Sequence, residues 1–150
     1  EMIVNRQDLL AAAPIRHMVS EKRVSNGRSW GLTECGYDIR IKQDVTLFLG
    51  HRFALASSIE EFDMPAHLMG RVLNKSTWAR LGLDASMTTN IEPGWRGFLT
   101  IELRYARCIP LRIKAGTGIC QVIFEQVMNP AHYVGKYQGQ ADQPVAARFA

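Results

Sequence analysis

The chain has 150 residues, 47% of them hydrophobic, and a formal net charge of +4. That length suits one domain with a proper core and leaves little room for a second. No apolar run approaches the roughly twenty residues that cross a bilayer, and the positive excess falls short of the continuous basic strip of a nucleic-acid binder. Membrane insertion is therefore not expected. Charge alone leaves nucleic acid open as a partner, but the aromatic residues are not interleaved with a continuous basic strip, so nucleic-acid binding is not expected either.

The segment Met2-Ile-Val4 leads into charged residues rather than a signal-type apolar core, which points to a cytoplasmic protein. Asn5 is positioned to cap a short helix through Arg6–Ala12, with Asp8 in its favourable first turn. Ser20 to Ser29 is polar and rich in turn residues, and reads as a mobile loop. From Tyr37 the pattern alternates, with Tyr37, Ile39 and Ile41 on one face and Asp38, Arg40 and Lys42 on the other, as in a half-buried strand. Further strands are expected at Val45 to Leu49, His67 to Leu73, Phe98 to Tyr105, Ile109 to Ile113 and Ile119 to Met128. Pro65, Pro93-Gly94, Pro110 and Gly116-Thr-Gly118 divide them. Many short strands with such punctuation imply a sandwich, jelly roll or barrel. Ser76 to Leu81 is the exception and suits a helical turn. The tail from Gly135 is polar and glycine-bearing, as in a frayed end or an arm that orders on binding.

Cys35, Cys108 and Cys120 are odd in number, widely spaced and without a Cys-x-x-Cys, so they read as reduced core thiols rather than a disulfide framework or zinc site. His17, His51, His67 and His132 lack metal-ligand or catalytic-triad spacing and read as structural or exposed. Two segments carry chemistry instead. Lys75-Ser-Thr-Trp-Ala-Arg80 offers two cations, two hydroxyls and a turn of amides, a set that neutralises phosphates. The same residues also suit a solvated basic turn, and without a glycine-rich lead-in they are not a P-loop. In the strand Phe98 to Tyr105, Glu102 shares a face with Phe98, Thr100 and Arg104. Lining a cleft, its carboxyl is a general base with a raised pKa; facing solvent, it is an ordinary surface acid. Glu92-Pro-Gly-Trp95 is a tight-turn signal, with Trp95 expected in the core.

Six blocks then resemble, in order, the dCTP deaminase branch of the dUTPase-like superfamily. They are Gly36-Tyr-Asp-Ile-Arg-Ile41, Lys75–Gly82, Ile91–Leu103, Pro110–Gly116, Ile119-Cys-Gln121 and Lys136-Tyr-Gln-Gly-Gln140. The resemblance implies one domain over 1–150, a mainly β distorted jelly roll or β-barrel with a few short helices, and a C-terminal arm over 133–150. It also implies a homotrimer with active sites between subunits, and Mg²⁺ carried on the triphosphate rather than by the protein, with no zinc. By position, Glu102 would be the base acting on water that attacks cytosine C4, and Ser76 and Arg80 would position that water and the base. Lys75 and Thr77 would belong to the phosphate segment, Thr100 and Ile101 would flank the base, and Glu92 would lie near the sugar. Gln121 would touch the nucleotide, while Tyr133, Lys136, Tyr137 and Gln140 would close the arm over the phosphates. Thr88-Thr89-Asn90 occupies the stretch that reads the pyrimidine, where alanine is frequent, which leaves base choice and feedback by dTTP open. The implied reaction is dCTP to dUTP and ammonia. A bifunctional enzyme continuing to dUMP and pyrophosphate, a dUTPase using Glu92, and a trimeric nucleotide-binding module without chemistry are the alternatives.

Overall fold

The computed structural model describes residues 2–149, so Glu1 and Ala150, the outer ends of the expected domain and arm, lie outside the described residues. The chain is mainly β. Its largest sheet has the order β2 (Lys22–Ser25), β3 (Arg28–Leu32), β4 (Gly36–Arg40), β12 (Gly118–Gln126), β7 (Leu68–Asn74) and β9 (Asn90–Ile91), with β1 (Ile3–Val4) also pairing β12. A three-stranded sheet runs β6 (Phe53–Asp63), β10 (Arg96–Tyr105), β8 (Leu83–Asp84), and β5 (Val45–Leu47) pairs β11 (Leu111–Ile113). The arrangement is jelly-roll-like, with open sheets rather than a closed barrel. Two short helices, α1 (Arg6–Ala12) and α2 (Ser76–Arg80), accompany the strands.

Core residues come from every layer. Leu9, Tyr37, Ile39, Phe62, Leu68, Ile101, Leu103, Val122 and Phe124 are each 1% exposed or less, and full burial of a side chain of this size contributes roughly 1.5–3 kcal/mol. No helix among the described residues is long and apolar enough to cross a membrane.

Several expectations change. Asn5 stands before α1 in extended backbone but caps nothing; its amide donates to the Glu34 carbonyl at 2.8 Å. Ser20 to Ser29 is not a loop: Asn26 and Gly27, at φ 50° and 70°, make the tight turn of the β2–β3 hairpin, because only such residues tolerate two successive positive φ angles. β4 is buried on both faces rather than half-buried. Asp38 pairs with Lys75 and Arg40 with Glu60, so that charges from distant strands satisfy one another inside the fold. Of the three cysteines only Cys120 is in the core; Cys35 and Cys108 are exposed. All four histidines are exposed.

The eleven-residue β6 is absent from the expected strands. Its Ala, Ser and Glu content lacks β propensity, and tertiary bonds compensate. Ser57 is bracketed by Gln43, whose Nε2 donates to the Ser57 hydroxyl and whose Oε1 accepts the Ser57 N–H, both at 2.8 Å. Ser58 Oγ accepts the Leu99 N–H at 2.9 Å. β6 matters here because it aligns β10, placing Glu102 opposite Leu55 and Thr100 opposite Ser57.

Candidate active site

β10 carries the site. Strand alternation sends Leu99, Ile101, Leu103 and Tyr105 into the core and leaves Phe98, Thr100 and Glu102 half-buried on the other face. That second face lines a cleft of about 640 Å³, walled by Glu102, Thr100, Leu55, Thr88, Trp95 and Tyr137 among others. Burial, with no charged neighbour contributing, pushes the Glu102 carboxyl above its ordinary value of 4.5. Ile101 is fully buried, so only its main chain is available to a ligand.

Glu102 is held from behind. Its N–H donates to the Thr88 hydroxyl at 2.9 Å, and Thr88 is itself buried in a short 3-10 turn over Ser86–Thr88. Thr89 and Asn90 also line the cleft. Thr89 adopts φ 66° and ψ −132°, an outlier for a β-branched residue. Its N–H donates to the Ser86 carbonyl at 3.1 Å and its carbonyl accepts the Val72 N–H at 3.0 Å, which holds that conformation in place.

Glu92 stands exposed on the wall of the same cleft. It opens a turn closed by the Trp95 N–H on the Glu92 carbonyl at 3.1 Å, with Gly94 at φ 74°. Trp95 is 5% exposed and packs against Phe62, as a core tryptophan should. It also donates its indole N–H to the Tyr137 carbonyl at 2.7 Å, a second role that sequence reasoning missed.

The arm lies along β10 and is bonded to it. Gln140 makes a parallel bridge to Gly97, accepts the Phe98 N–H at 3.1 Å, and accepts the Thr100 hydroxyl at 2.8 Å. Val145 donates its N–H to the same hydroxyl at 3.0 Å. Tyr133 donates its N–H to the Pro93 carbonyl at 2.8 Å, and Tyr133, Tyr137 and Gln140 all line the Glu102 cleft. Lys136 is exposed and its ammonium reaches the Arg148 carbonyl. The polar tail is thus a seated strap.

The phosphate-type segment faces elsewhere. Ser76 and Thr77 are exposed on α2 and line a separate cavity of about 600 Å³ with Gln121, Arg28, Lys75 and Asp38. Gln121 donates to the Thr33 hydroxyl at 3.1 Å. Arg80 is exposed and lines neither cavity. Within one chain, therefore, Glu102, Glu92, Thr88, Thr100, Tyr133, Tyr137 and Gln140 come together, and Ser76, Thr77, Lys75 and Gln121 come together apart from them. Asp38 and Arg28, which wall the second cavity, were not anticipated as site residues; Asp38 read in sequence only as part of the polar face it shares with Arg40 and Lys42. Among the described residues no group of three or more His, Cys, Asp or Glu side chains is arranged to hold a metal ion.

Comparison with known proteins shows what the chain is similar to. A family model described as dCTP deaminase-like matches residues 38–127. The dCTP deaminase of Acidobacterium capsulatum is 32% identical, over 81% of this chain and 84% of its own length. That of Herpetosiphon aurantiacus is 34% identical, over 75% and 78%. Among solved structures, a 2'-deoxycytidine 5'-triphosphate deaminase from Agrobacterium tumefaciens superposes with a TM-score of 0.59 at 17% identity, covering 81% of this chain and 47% of that one. A native EIAV dUTPase superposes with a TM-score of 0.56 at 16% identity, covering 83% and 92%. These structural likenesses concern the fold.

Proposed function

The chain belongs to the dCTP deaminase family, and on that premise we propose that it hydrolyses the 4-amino group of dCTP, forming dUTP and ammonia without zinc. The observation that carries the reading is Glu102: a carboxylate on a rigid strand, half-buried in a cleft of nucleotide size, with its pKa raised by burial and its main chain fixed by Thr88. A general base must be ionised when it acts and must tolerate carrying the proton afterwards, which a desolvated carboxylate does. Glu102 takes a proton from water as the oxygen bonds to C4, giving a tetrahedral centre. That proton passes from Glu102 to N3; the second water proton, on the new C4 hydroxyl, passes to the departing nitrogen as the C4–N bond breaks, and the C4 carbonyl forms as ammonia leaves.

Ser76 and Arg80 would position the water and the pyrimidine, and Thr77 would meet the triphosphate, with Gln121 against the nucleotide. Because these residues stand apart from Glu102 in one chain, the reading calls for a second copy to bring its α2 to the Glu102 cleft. This supports a homotrimer with sites between subunits. Tyr133, Lys136, Tyr137 and Gln140 would close the arm over the bound phosphates, while Thr100 and the Ile101 main chain flank the base. Thr88 and Thr89 line the same cleft and would meet a pyrimidine 5-substituent, which would make them the basis for any control by dTTP. Mg²⁺ would arrive on the triphosphate. The enzyme would act in the cytoplasm on free nucleotides.

Glu92 favours one second reading. It shares the Glu102 cleft, so a bifunctional enzyme that carries dUTP on to dUMP and pyrophosphate has an acid available. Incubation with dCTP and Mg²⁺, followed by chromatography, tests both. Loss of dCTP with ammonia release is expected. A Glu92→Gln variant that deaminates but releases no pyrophosphate would identify the bifunctional form. Binding of dCTP without turnover would refute the enzyme reading in favour of a nucleotide-binding module.

A further inference from the structure

α2 has five residues, too few to hold a helix by its own hydrogen bonds. Its position is set by two inward side chains three residues apart, on one face. Lys75, in extended backbone just before the helix, turns its ammonium onto the buried Asp38 carboxylate of β4 and onto the Ser29 hydroxyl of β3 at 3.1 Å. The side chains of Lys75 and Asp38 are only 11% and 5% exposed. Trp78, also buried, donates its indole N–H to the Gly118 carbonyl at the start of β12 at 2.8 Å. The helix is thereby clamped between β3–β4 and β12, leaving Ser76, Thr77 and Arg80 outward.

This pairing removes Lys75 as a free charge, for its cation is already neutralised inside the fold. The cavity that Ser76 and Thr77 line holds two further cations: Lys22 of β2, whose ammonium lies 3.9 Å from the Glu34 carboxylate, and Arg28 of β3, which has no carboxylate partner among the described residues. The Arg28 Nη1 donates to the Gly27 carbonyl at 3.2 Å and its guanidinium lies 4.9 Å over the Trp78 ring. Its Nε is the one buried side-chain nitrogen or oxygen without a hydrogen-bond partner among the described residues. Arg28, Ser76 and Thr77 line one cavity, and a guanidinium with an unused donor together with two outward hydroxyls is a set that phosphate oxygens can bind.

We propose that Arg28 is the phosphate-binding cation of this cavity and that Lys75, locked to Asp38, is a positioning residue that sets α2 rather than a ligand of the nucleotide. The proposal rests on the deaminase reading above. Its test compares the full-length wild-type chain with Arg28→Gln, Lys75→Gln, Asp38→Asn and the double variant Asp38→Asn/Lys75→Gln, whose two amides span the gap without charge. Two readouts are taken: hydrogen exchange of the α2 amides without nucleotide, and kcat and KM for dCTP and dCMP.

Each single change at Asp38 or Lys75 is expected to speed α2 exchange at least ~10-fold. Each lowers kcat by roughly 10- to 100-fold through misplacement of Ser76 and Arg80, and the double variant recovers most of both losses. In these proteins the ratio of kcat/KM for dCTP to that for dCMP stays at the wild-type value. Arg28→Gln leaves α2 exchange and kcat near wild type but raises KM for dCTP about tenfold or more, lowering that ratio. The proposal is overturned if Lys75→Gln raises KM for dCTP selectively with kcat intact, if the double variant is no better than Lys75→Gln, or if Arg28→Gln leaves the ratio unchanged. Absence of ammonia release by the wild-type chain would instead defeat the deaminase reading, and exchange at α2 would still decide the anchor.

Discussion

Removing the Thr88 hydroxyl tests how Glu102 is positioned. Thr88→Val keeps the side-chain shape and deletes the acceptor of the Glu102 N–H, a 2.9 Å bond from a residue only 8% exposed. A buried amide left without a partner costs about 1–3 kcal/mol. The bond is partly buried, so about 1–2 kcal/mol is expected, which in a chain of this length lowers the melting temperature by roughly 2–8 °C. The expected catalytic consequence is larger: a shift of β10 at this point moves Glu102, the proposed base, and a displacement near 1 Å costs on the order of 100-fold in rate. Urea unfolding at fixed protein concentration and single-turnover deamination of dCTP measure the two effects. Thr88→Ser restores the acceptor and should recover both. If Thr88→Val deaminates at the wild-type rate with unchanged stability, the hydroxyl does not position Glu102.

Three further outcomes follow from the same geometry. As the proposed base, Glu102 would act as a carboxylate, so kcat/KM should rise with pH through its apparent pKa and level off above it. Because burial raises that pKa, the midpoint of the acid limb lies above 4.5, and a limb at or below that value would place Glu102 in solvent. Gly97→Ala should release the arm: Gly97 sits at φ 135° and an added Cβ would come 2.6 Å from the Gln140 nitrogen. The variant should be cut by protease within the arm and show a raised KM for dCTP, and an arm as protected as in wild type would contradict this seating. Cys120 is buried and its thiol pushed well above the usual range, so it should react with a thiol reagent only on unfolding, whereas Cys35 and Cys108 react in the native protein.

What the sequence made legible was periodic and local. The alternation of Leu99, Ile101 and Leu103 against Thr100 and Glu102 fixed which residues share a face of β10, and turn chemistry fixed Glu92–Trp95, but cleft and solvent both remained open for the Glu102 face until the chain was folded. β6 was hidden because Ala, Ser and Glu do not advertise a strand; Gln43 and Leu99 supply the partners that make it one. The β2–β3 hairpin was hidden because its polar residues resemble a loop, although Asn26-Gly27 was the signal for its turn. The direction of Lys75 was illegible for a different reason. Its partner is 37 residues away, and a cation beside Ser-Thr looks the same in sequence whether it faces a phosphate or a buried carboxylate. Glu102 and α2 lie in separate cavities, a separation that only the folded chain reveals.

Glu102→Gln should remain folded, keep its assembly and bind dCTP, while single-turnover release of ammonia falls by about 10²–10⁴-fold, the range for loss of a general base. Ammonia release at the wild-type rate by a folded, dCTP-binding Glu102→Gln protein would contradict the central claim.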